Sequence, residues 1–327
     1  MIIRGDDELE VLKAFIVEFE VETGTNQEGP LWHYTDAWGL QGILTSRAIR
    51  ATHYAHLNDS TELILGEETV LSAATELLKE ETDEHRVAWL TRFVESFRQT
   101  RLSQVAAPYV ASLCADDGNR LSQWRGYGAH GAGYSIAFPA LPKPIEVAGS
   151  SDATLAIALV RMRYSVDALW VDARARFKAI LDRASELRTK FRKDGIYGPT
   201  NGMLRMNAAS LAVQLKHEGV REEQEWRILA YPMRDFRQEG TSILRARTDG
   251  KPVVQFRPST RGLIPYVEIP LAEDLPRVPI AGVHVGPGPD VDARADAVVA
   301  LLETLGYDLP GTLVKGSSIP FKPTAPR

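Results

Sequence analysis

The sequence predicts an α+β fold in which helices wrap a single mixed, partly antiparallel sheet. Strand-like and helix-like segments are interleaved along the chain without the strict alternation that a parallel sheet of βαβ units requires. The apolar fraction of 44% is that of an ordinary globular protein, so we expect a sizeable core. Neither an internal repeat nor a Gly/Ser-rich linker divides the 327 residues, and we therefore expect one domain over residues 1–327.

The first part of the chain is predicted to hold helices around two short strands. Apolar residues recur at helical spacing between Asp7 and Glu22, which predicts a lead helix within residues 1–29. The stretch before Asp36 is rich in aromatic and β-branched residues, as strands are, and aspartate is a residue type that caps helices. In order, we expect a strand at 30–35, a helix at 37–46, a strand at 50–55, a turn at 57–62, a helix to about residue 80 and a helix at 83–102.

The rest of the chain carries most of the predicted strands. Alternating apolar and polar residues predict strands, whereas apolar residues three and four apart predict helices. We expect strands at 108–114, 133–138, 154–164, the end of 222–231, 252–256, 263–269 and 278–285, and helices at 121–127, 166–193, 203–215 and 291–305. Residues from about 166 to 215 are therefore predicted to form a helical insertion, and residues 286–327 a C-terminal helix and tail.

The stretch from Leu121 to Phe138 mixes polar and aromatic side chains with glycines. Glycine lets a backbone approach a ligand closely, while Trp124 and Tyr127 offer flat faces for a ring. Arg125 offers a planar fork that matches a phosphate group. This combination favours a nucleotide-binding role. The alternative is structural, with Trp124 as a core anchor and the glycines as an ordinary loop.

Further polar clusters lie at the ends of predicted strands, where a cleft could form. They are His33-Tyr34-Thr35, the run from Glu222 through Glu223 and Glu225 to Arg227, and Asn58-Asp59 with Glu62. Each has a simpler interpretation. A histidine beside tryptophan is often a core residue, an acidic run is often a solvated surface, and an Asn-Asp pair often caps a helix.

Several chemistries are not favoured by the sequence. It contains no HExxH or DxDxDG metal motif, no GxSxG nucleophile elbow and no Walker A loop, so we expect no metal. Cys114 is the single cysteine and lies in an apolar predicted strand, where a buried, inert thiol is expected. The formal net charge of −5 argues against a protein that coats duplex nucleic acid. With no leader pattern and no long apolar run, we expect a soluble, cytoplasmic protein without membrane contact.

Taken together, the motifs resemble a bacterial family of unknown activity. The relevant segments are His33-Tyr-Thr, Leu57-Asn-Asp-Ser-Thr-Glu62, Ser112, Leu121-Ser-Gln-Trp-Arg-Gly-Tyr127, Gly133-Tyr-Ser-Ile-Ala-Phe138, Glu225-Trp-Arg227 and Val283-His-Val-Gly-Pro287. They resemble the family catalogued as domain of unknown function 2971, over nearly the whole chain from Trp32 on.

A more distant resemblance implies an activity. The strand ending in His33-Tyr-Thr35, followed by Gly39-Leu-Gln-Gly-Ile-Leu44, is similar to the opening of ADP-ribosyltransferases of the His-Tyr-Glu class, which include DNA-modifying toxins and tRNA 2′-phosphotransferases. The resemblance implies an ADP-ribosyltransferase-like split sheet and NAD as the substrate. By position it implies that His33 holds the NAD ribose and that Tyr127 or Tyr134 stacks on nicotinamide. It also implies that Glu225 stabilises the oxocarbenium ion formed as nicotinamide leaves, with Glu223 completing the ExE pattern of transferases that modify arginine.

We therefore expect an ADP-ribosyltransferase-like enzyme that transfers ADP-ribose to a macromolecular acceptor or hydrolyses NAD, in a toxin or phage-defence setting. The expected catalytic residues are Glu225, Glu223 and His33, and the expected NAD-binding residues are His33, Tyr34, Thr35, Gln123, Trp124, Arg125, Tyr127 and Tyr134. Physically, a fixed carboxylate opposes the positive charge that builds on the ribose as the glycosidic bond breaks. Two alternatives stay open: a non-catalytic module that binds a nucleotide or a nucleic-acid end, and a protein in which these clusters are core.

Overall fold

A computed structural model describes most of the chain. The described residues are 29–57, 61–100, 108–139, 154–191, 197–233, 252–260, 262–272, 275–308 and 313–320. The predicted lead helix and the Asn58-Asp59 turn lie outside these residues, as do parts of the predicted tail.

The described residues form ten strands and a set of helices that follow the predicted order closely. The strands are β1 Leu31–Thr35, β2 Ala48–His53, β3 Tyr109–Cys114, β4 Tyr134–Phe138, β5 Thr154–Arg161, β6 Glu225–Met233, β7 Gln255–Ser259, β8 Gly262–Pro270, β9 Gly282–Val285 and β10 Val314–Gly316. The helices are α1 Ala37–Ser46, α2 Thr61–Glu80, α3 Glu84–Gln99, α4 Leu121–Gly126, α5 Val166–Phe191, α6 Tyr197–Ala212 and α7 Val291–Thr304. Short 3₁₀ turns cover Tyr54–His56, Ala129–Gly131 and Glu218–Glu223.

All ten strands belong to one mixed sheet, which confirms the predicted fold class at that level. Eight of them follow the order β10-β9-β4-β1-β3-β2-β8-β7, and β6 pairs with both β3 and β5. The β9–β10 pair is parallel, while the other pairs are antiparallel. Antiparallel pairs need no helical crossover, which explains why the chain lacks strict βαβ alternation.

The sheet branches at β3. Along one edge, all six residues of β3 pair with β6. The other edge is shared, because Cys114 at the end of β3 pairs with Trp32 of β1, whereas Val110 and Tyr109 at its start pair with β2. The strands β1 and β2 therefore separate from one another around the middle of β3, near Ser112.

Two large apolar cores, with two smaller clusters beside them, hold the described residues together. The helices α1 and α7 pack on one face of the sheet, with Leu40, Ile43, Val298 and Leu302 meeting buried strand residues. A second core lies among α2, α3, α5 and α6, where Phe93 and Phe177 are in ring contact. In the chain, α5 and α6 connect β5 to β6, and these two strands pair directly with each other. The sequence predicts a helical insertion in this region.

The ends of some strands and helices differ from the predictions because strand pairing or a proline sets them. Strand β2 begins at Ala48 because the ladder with β8 already starts there, opposite Pro270. Helix α6 begins before the predicted residue 203, since Pro199 lies in its first turn, where the missing N–H is not needed. Strand β7 holds Pro258, which is tolerated because β7 ends the described strand order.

Candidate functional site

The branch of the sheet opens onto a cleft made of two adjoining cavities. The larger has a volume of about 320 Å³ and extends toward α2 and the end of α6. The smaller has a volume of about 60 Å³ and extends toward β1 and α4. Four residues border both cavities: Ser112, Tyr127, Glu223 and Glu225.

The register of β3 and β6 places the polar residues of the cleft on one face of the sheet. Cys114 lies opposite Glu225, and Ser112 lies opposite Arg227. Residues directly opposite each other in an antiparallel pair project to the same face, so these four side chains share the cleft side. Gln224 has a left-handed backbone (φ 45°) and turns the chain from the 3₁₀ turn into β6, with Glu223 and Glu225 on either side of it.

His33 lies on β1, beside β3, where β1 and β2 separate. Its Nδ1 is 2.9 Å from the carbonyl oxygen of Ser112. Because a carbonyl oxygen only accepts, Nδ1 carries the proton and donates it. Burial lowers the pKa of His33 despite this hydrogen bond, so the ring is neutral at neutral pH. A neutral ring protonated at Nδ1 keeps a lone pair on Nε2, which can accept a hydrogen bond from a ligand.

Glu225 is the centre of a compact ion cluster. Its side chain is buried, with Oε1 2.8 Å from Arg227 Nε and Oε2 2.6 Å from Lys216 Nζ. Lys216 also pairs with Glu223, and Arg227 donates to the carbonyl of Val213 at 2.7 Å. The backbone N–H of Glu225 donates to the hydroxyl of Tyr164 at 3.0 Å. The cluster thus contains two carboxylates and two cations held against the floor of the cleft.

The cluster keeps Glu225 ionised. Burial alone would raise its pKa, but the charges of Arg227 and Lys216 outweigh burial and lower the pKa to about 2. For Lys216 the directions are reversed. Burial alone would lower its pKa, but the neighbouring Glu225 carboxylate, Tyr127 and Glu223 outweigh burial and raise the pKa. At neutral pH the cleft therefore holds a permanent carboxylate beside permanent cations.

The lowered pKa makes Glu225 a source of acid sensitivity. Since the pKa falls from an ordinary 4.5 to about 2 on folding, its contribution to stability is fully present above pH 4.5 and is lost as the pH falls toward 2. Between pH 5 and pH 3, we expect wild-type protein to lose on the order of 2 kcal/mol more than the Glu225→Gln variant. Urea unfolding at pH 5 and pH 3 measures the difference. Equal losses in the two proteins would show that Glu225 is not the group that titrates.

Tyr127 and Gln123 complete the small cavity. Tyr127 follows α4 and is 44% exposed at the mouth, where partial burial raises the pKa of its phenol. Gln123 lies one turn earlier and is only 2% exposed. Its Nε2 is buried, and it has no hydrogen-bond acceptor among the residues that the structure describes.

The other sequence-predicted residues have different positions. Tyr34 borders the small cavity, but its hydroxyl donates to Asp116 at 3.0 Å and accepts from the backbone of Arg120, so it holds the 116–120 turn against β1. Thr35 lies in β1 outside both linings. Arg125 is exposed on α4 and also lies outside both linings, so its predicted phosphate contact stays a prediction.

Trp124 and Tyr134 require a correction. Trp124 is 0% exposed, packs edge-on against Tyr34 and donates from Nε1 to Asn119 at 3.0 Å, so it has no face open to a ligand. A Cβ on Gly128 would lie 2.5 Å from the Trp124 ring, which means that this glycine serves packing. Tyr134 is buried in the core beneath the sheet. Of the two tyrosines proposed to stack on a ring, only Tyr127 borders the cleft.

Sequence reasoning missed Lys216 and gave Ser112 no place in the site. Lys216 directly follows the predicted helix 203–215, where a lysine is ordinarily exposed, and its burial beside two glutamates depends on the fold. Ser112 lies within the apolar strand 109–114, where a polar residue resembles ordinary alternation. Arg227 belongs to a quoted cluster, but its pairing with Glu225 depends on the fold.

Comparisons of the chain with models of known protein families, with curated proteins and with solved structures gave no match in any of the three. The resemblances described above therefore rest on the quoted motifs. Within the described parts of the chain, no helix is long and apolar enough to cross a membrane. The same residues contain no group of three or more His, Cys, Asp or Glu side chains arranged to hold a metal ion.

Proposed function

We propose that the protein is an ADP-ribosyltransferase-like enzyme that binds NAD in this cleft and cleaves the bond between nicotinamide and ribose. The observation that carries the proposal is the convergence of three residues that are distant in sequence. His33 from β1, Tyr127 after α4 and Glu225 from β6 all border one cavity of about 60 Å³. They are the residue types that the resemblance assigns to the ribose, the nicotinamide ring and the developing cation.

The branched sheet supports the same proposal. His33 contacts β3 on the edge where β1 and β2 separate, and Glu225 pairs with β3 on the opposite edge. A histidine and a glutamate placed across one central strand, with a cleft above it, are compatible with a split sheet of the ADP-ribosyltransferase kind. The neutral ring of His33 suits a ribose hydroxyl, because Nε2 can accept a hydrogen bond from the hydroxyl.

The proposed reaction follows from these placements. The C1′–N bond breaks, its electron pair leaves with nicotinamide, and the ribose becomes an oxocarbenium ion opposite the Glu225 carboxylate. A nucleophile on a macromolecular acceptor, or water, then forms a new bond to C1′ and gives up its proton. Glu223 borders both cavities, and in this proposal it orients that nucleophile or takes its proton.

A second candidate is a non-catalytic nucleotide-binding module, and one observation favours it. Both oxygens of Glu225 already accept hydrogen bonds from cations, which weakens the field it can direct at a new positive charge. In this alternative, Tyr127 and His33 bind the ligand as before, and the ion cluster serves as a rigid floor.

Incubation of the protein with NAD separates the two candidates. The enzyme is expected to release free nicotinamide, which chromatography detects, and the module is expected to give only a thermal shift. Heat-unfolded protein serves as the blank. Binding without nicotinamide release, with and without candidate acceptors such as cell lysate, would contradict the enzymatic proposal and support the module.

Tyr127 is expected to contribute to affinity through its ring. Because stacking on an aromatic side chain is worth roughly 1 to 3 kcal/mol per base, Tyr127→Ala should weaken NAD binding by about 5- to 150-fold. Tyr127→Phe keeps the ring and should bind nearly as wild-type does. Calorimetric titration measures both. Equal loss in the two variants would indicate that the hydroxyl, not the ring, makes the contact.

A further inference from the structure

The side chain of Gln123 forms part of the wall of the small cavity, and the amide nitrogen of that side chain lacks a hydrogen-bond acceptor among the described residues. The residue is 2% exposed. Its backbone is fixed, because the Gln123 carbonyl accepts from Tyr127 N at 2.8 Å and from Gly128 N at 3.1 Å. An unsatisfied buried donor is costly, and native proteins contain few of them.

The surroundings of Gln123 define the group that would satisfy it. The same cavity is bordered by the ring of Tyr127, the neutral imidazole of His33, and Ser112. A flat ring that stacks on Tyr127 and carries a carbonyl substituent would place an acceptor beside a buried amide donor. Neutral acceptors are favoured over anionic ones, because the carboxylates of Glu223 and Glu225 border the same space.

We infer that Gln123 is the residue that selects the carboxamide of the nicotinamide ring, by donating from Nε2 to the carboxamide oxygen. The inference rests on the proposed function for the identity of the ligand, although it concerns binding and not bond cleavage. It makes Gln123 a specificity-determining residue. A pyridinium ring without a carbonyl substituent would leave the donor unsatisfied in the complex, and it would therefore bind less tightly.

The first test compares two buried glutamines. Gln123→Met removes the amide while keeping an unbranched side chain of similar length, so the melting temperature should stay unchanged or rise. Gln214→Met is the matched control, because Gln214 is also buried but donates to the Ser210 carbonyl at 2.9 Å and borders neither cavity. This control should melt at a lower temperature and bind NAD as wild-type does.

The second test changes the ligand. Wild-type protein should bind NAD about tenfold more tightly than an analogue in which pyridine replaces nicotinamide, and the 3-acetylpyridine analogue, which keeps the carbonyl, should bind like NAD. In Gln123→Met the preference for NAD over the pyridine analogue should vanish. The wild-type measurement needs no variant, so equal binding of the two ligands would overturn the inference even if Gln123→Met fails to fold.

The outcomes separate this inference from the proposed function. Equal binding of NAD and the pyridine analogue to wild-type protein overturns the role of Gln123, whether or not nicotinamide is released. A preference for NAD that disappears in Gln123→Met, without any nicotinamide release, upholds the role of Gln123 and overturns the enzymatic proposal. A lowered melting temperature in Gln123→Met with unchanged ligand preference assigns the residue a structural role.

Discussion

The Glu225→Gln variant is expected to release nicotinamide from NAD at least about 100-fold more slowly than wild-type protein. Glutamine keeps the size of the side chain and one acceptor oxygen, so the contacts of bound NAD are preserved while the charge that opposes the oxocarbenium ion is lost. NAD affinity should therefore change little. Nicotinamide release measured at saturating NAD, together with calorimetric titration, distinguishes the loss of turnover from a loss of binding.

Two further variants serve as controls for this result. Glu223→Gln should lower transfer to the acceptor while NAD hydrolysis continues, because the proposal gives Glu223 the role of orienting or deprotonating the acceptor's nucleophile. Glu268→Gln changes another buried glutamate, which pairs with Arg50 and borders neither cavity, and it should keep wild-type turnover. Rates are compared per folded molecule, since Glu225→Gln leaves Lys216 and Arg227 with a single carboxylate. Wild-type turnover in Glu225→Gln would contradict the catalytic role of Glu225.

The Trp124→Ala variant is expected to lose about 3 to 5 kcal/mol of stability, a large fraction of the roughly 5 to 15 kcal/mol that stabilise an ordinary domain. The whole indole is buried between Tyr34 and the glycine turn, so its removal leaves a large cavity and an unpaired Asn119. Arg125→Ala, one residue further on, is the matched control. Its side chain is exposed, and the change should cost less than about 1 kcal/mol.

Urea unfolding followed by far-ultraviolet circular dichroism measures both variants under identical conditions. Similar stabilities would mean that Trp124 is not the core residue that its position indicates, and its earlier interpretation as a stacking face would regain support. A large loss of stability in Trp124→Ala but not in Arg125→Ala would show that Trp124 serves folding. Tyr127 and Gln123 would then be the residues of the 121–138 stretch that face the ligand.

Local patterns were sufficient to predict most elements of the fold. The helix after Asp36 was predictable because its cap is local, and Asp36 Oδ1 does accept from Gly39 N at 2.7 Å. The strands around Ser112 and Glu225 were predictable from apolar alternation. The branch at β3 was not, because it depends on which strands meet across long separations in the chain, and no local pattern encodes that pairing.

The site shows the same division. The residue types at His33, Tyr127 and Glu225 indicated a cleft before any geometry was known, and those residues border one cavity. The partners of Glu225 were not predictable. Lys216 precedes it by nine positions, and the turn after α6 brings the two side chains together, which no local pattern indicates. Trp124 was misjudged because an indole between polar residues suits a ligand face and a core anchor equally, and only packing decides between them.

The ion cluster also bears on how this sequence can change over generations. Each of Lys216, Glu223, Glu225 and Arg227 compensates a charge of opposite sign, so any single replacement by a neutral residue leaves a charge unbalanced in a poorly solvated place. Exchanging a whole oppositely charged pair avoids that penalty, so effects at these positions should be strongly non-additive. We therefore expect substitutions in the cluster to be tolerated mainly when both members of an ion pair change together.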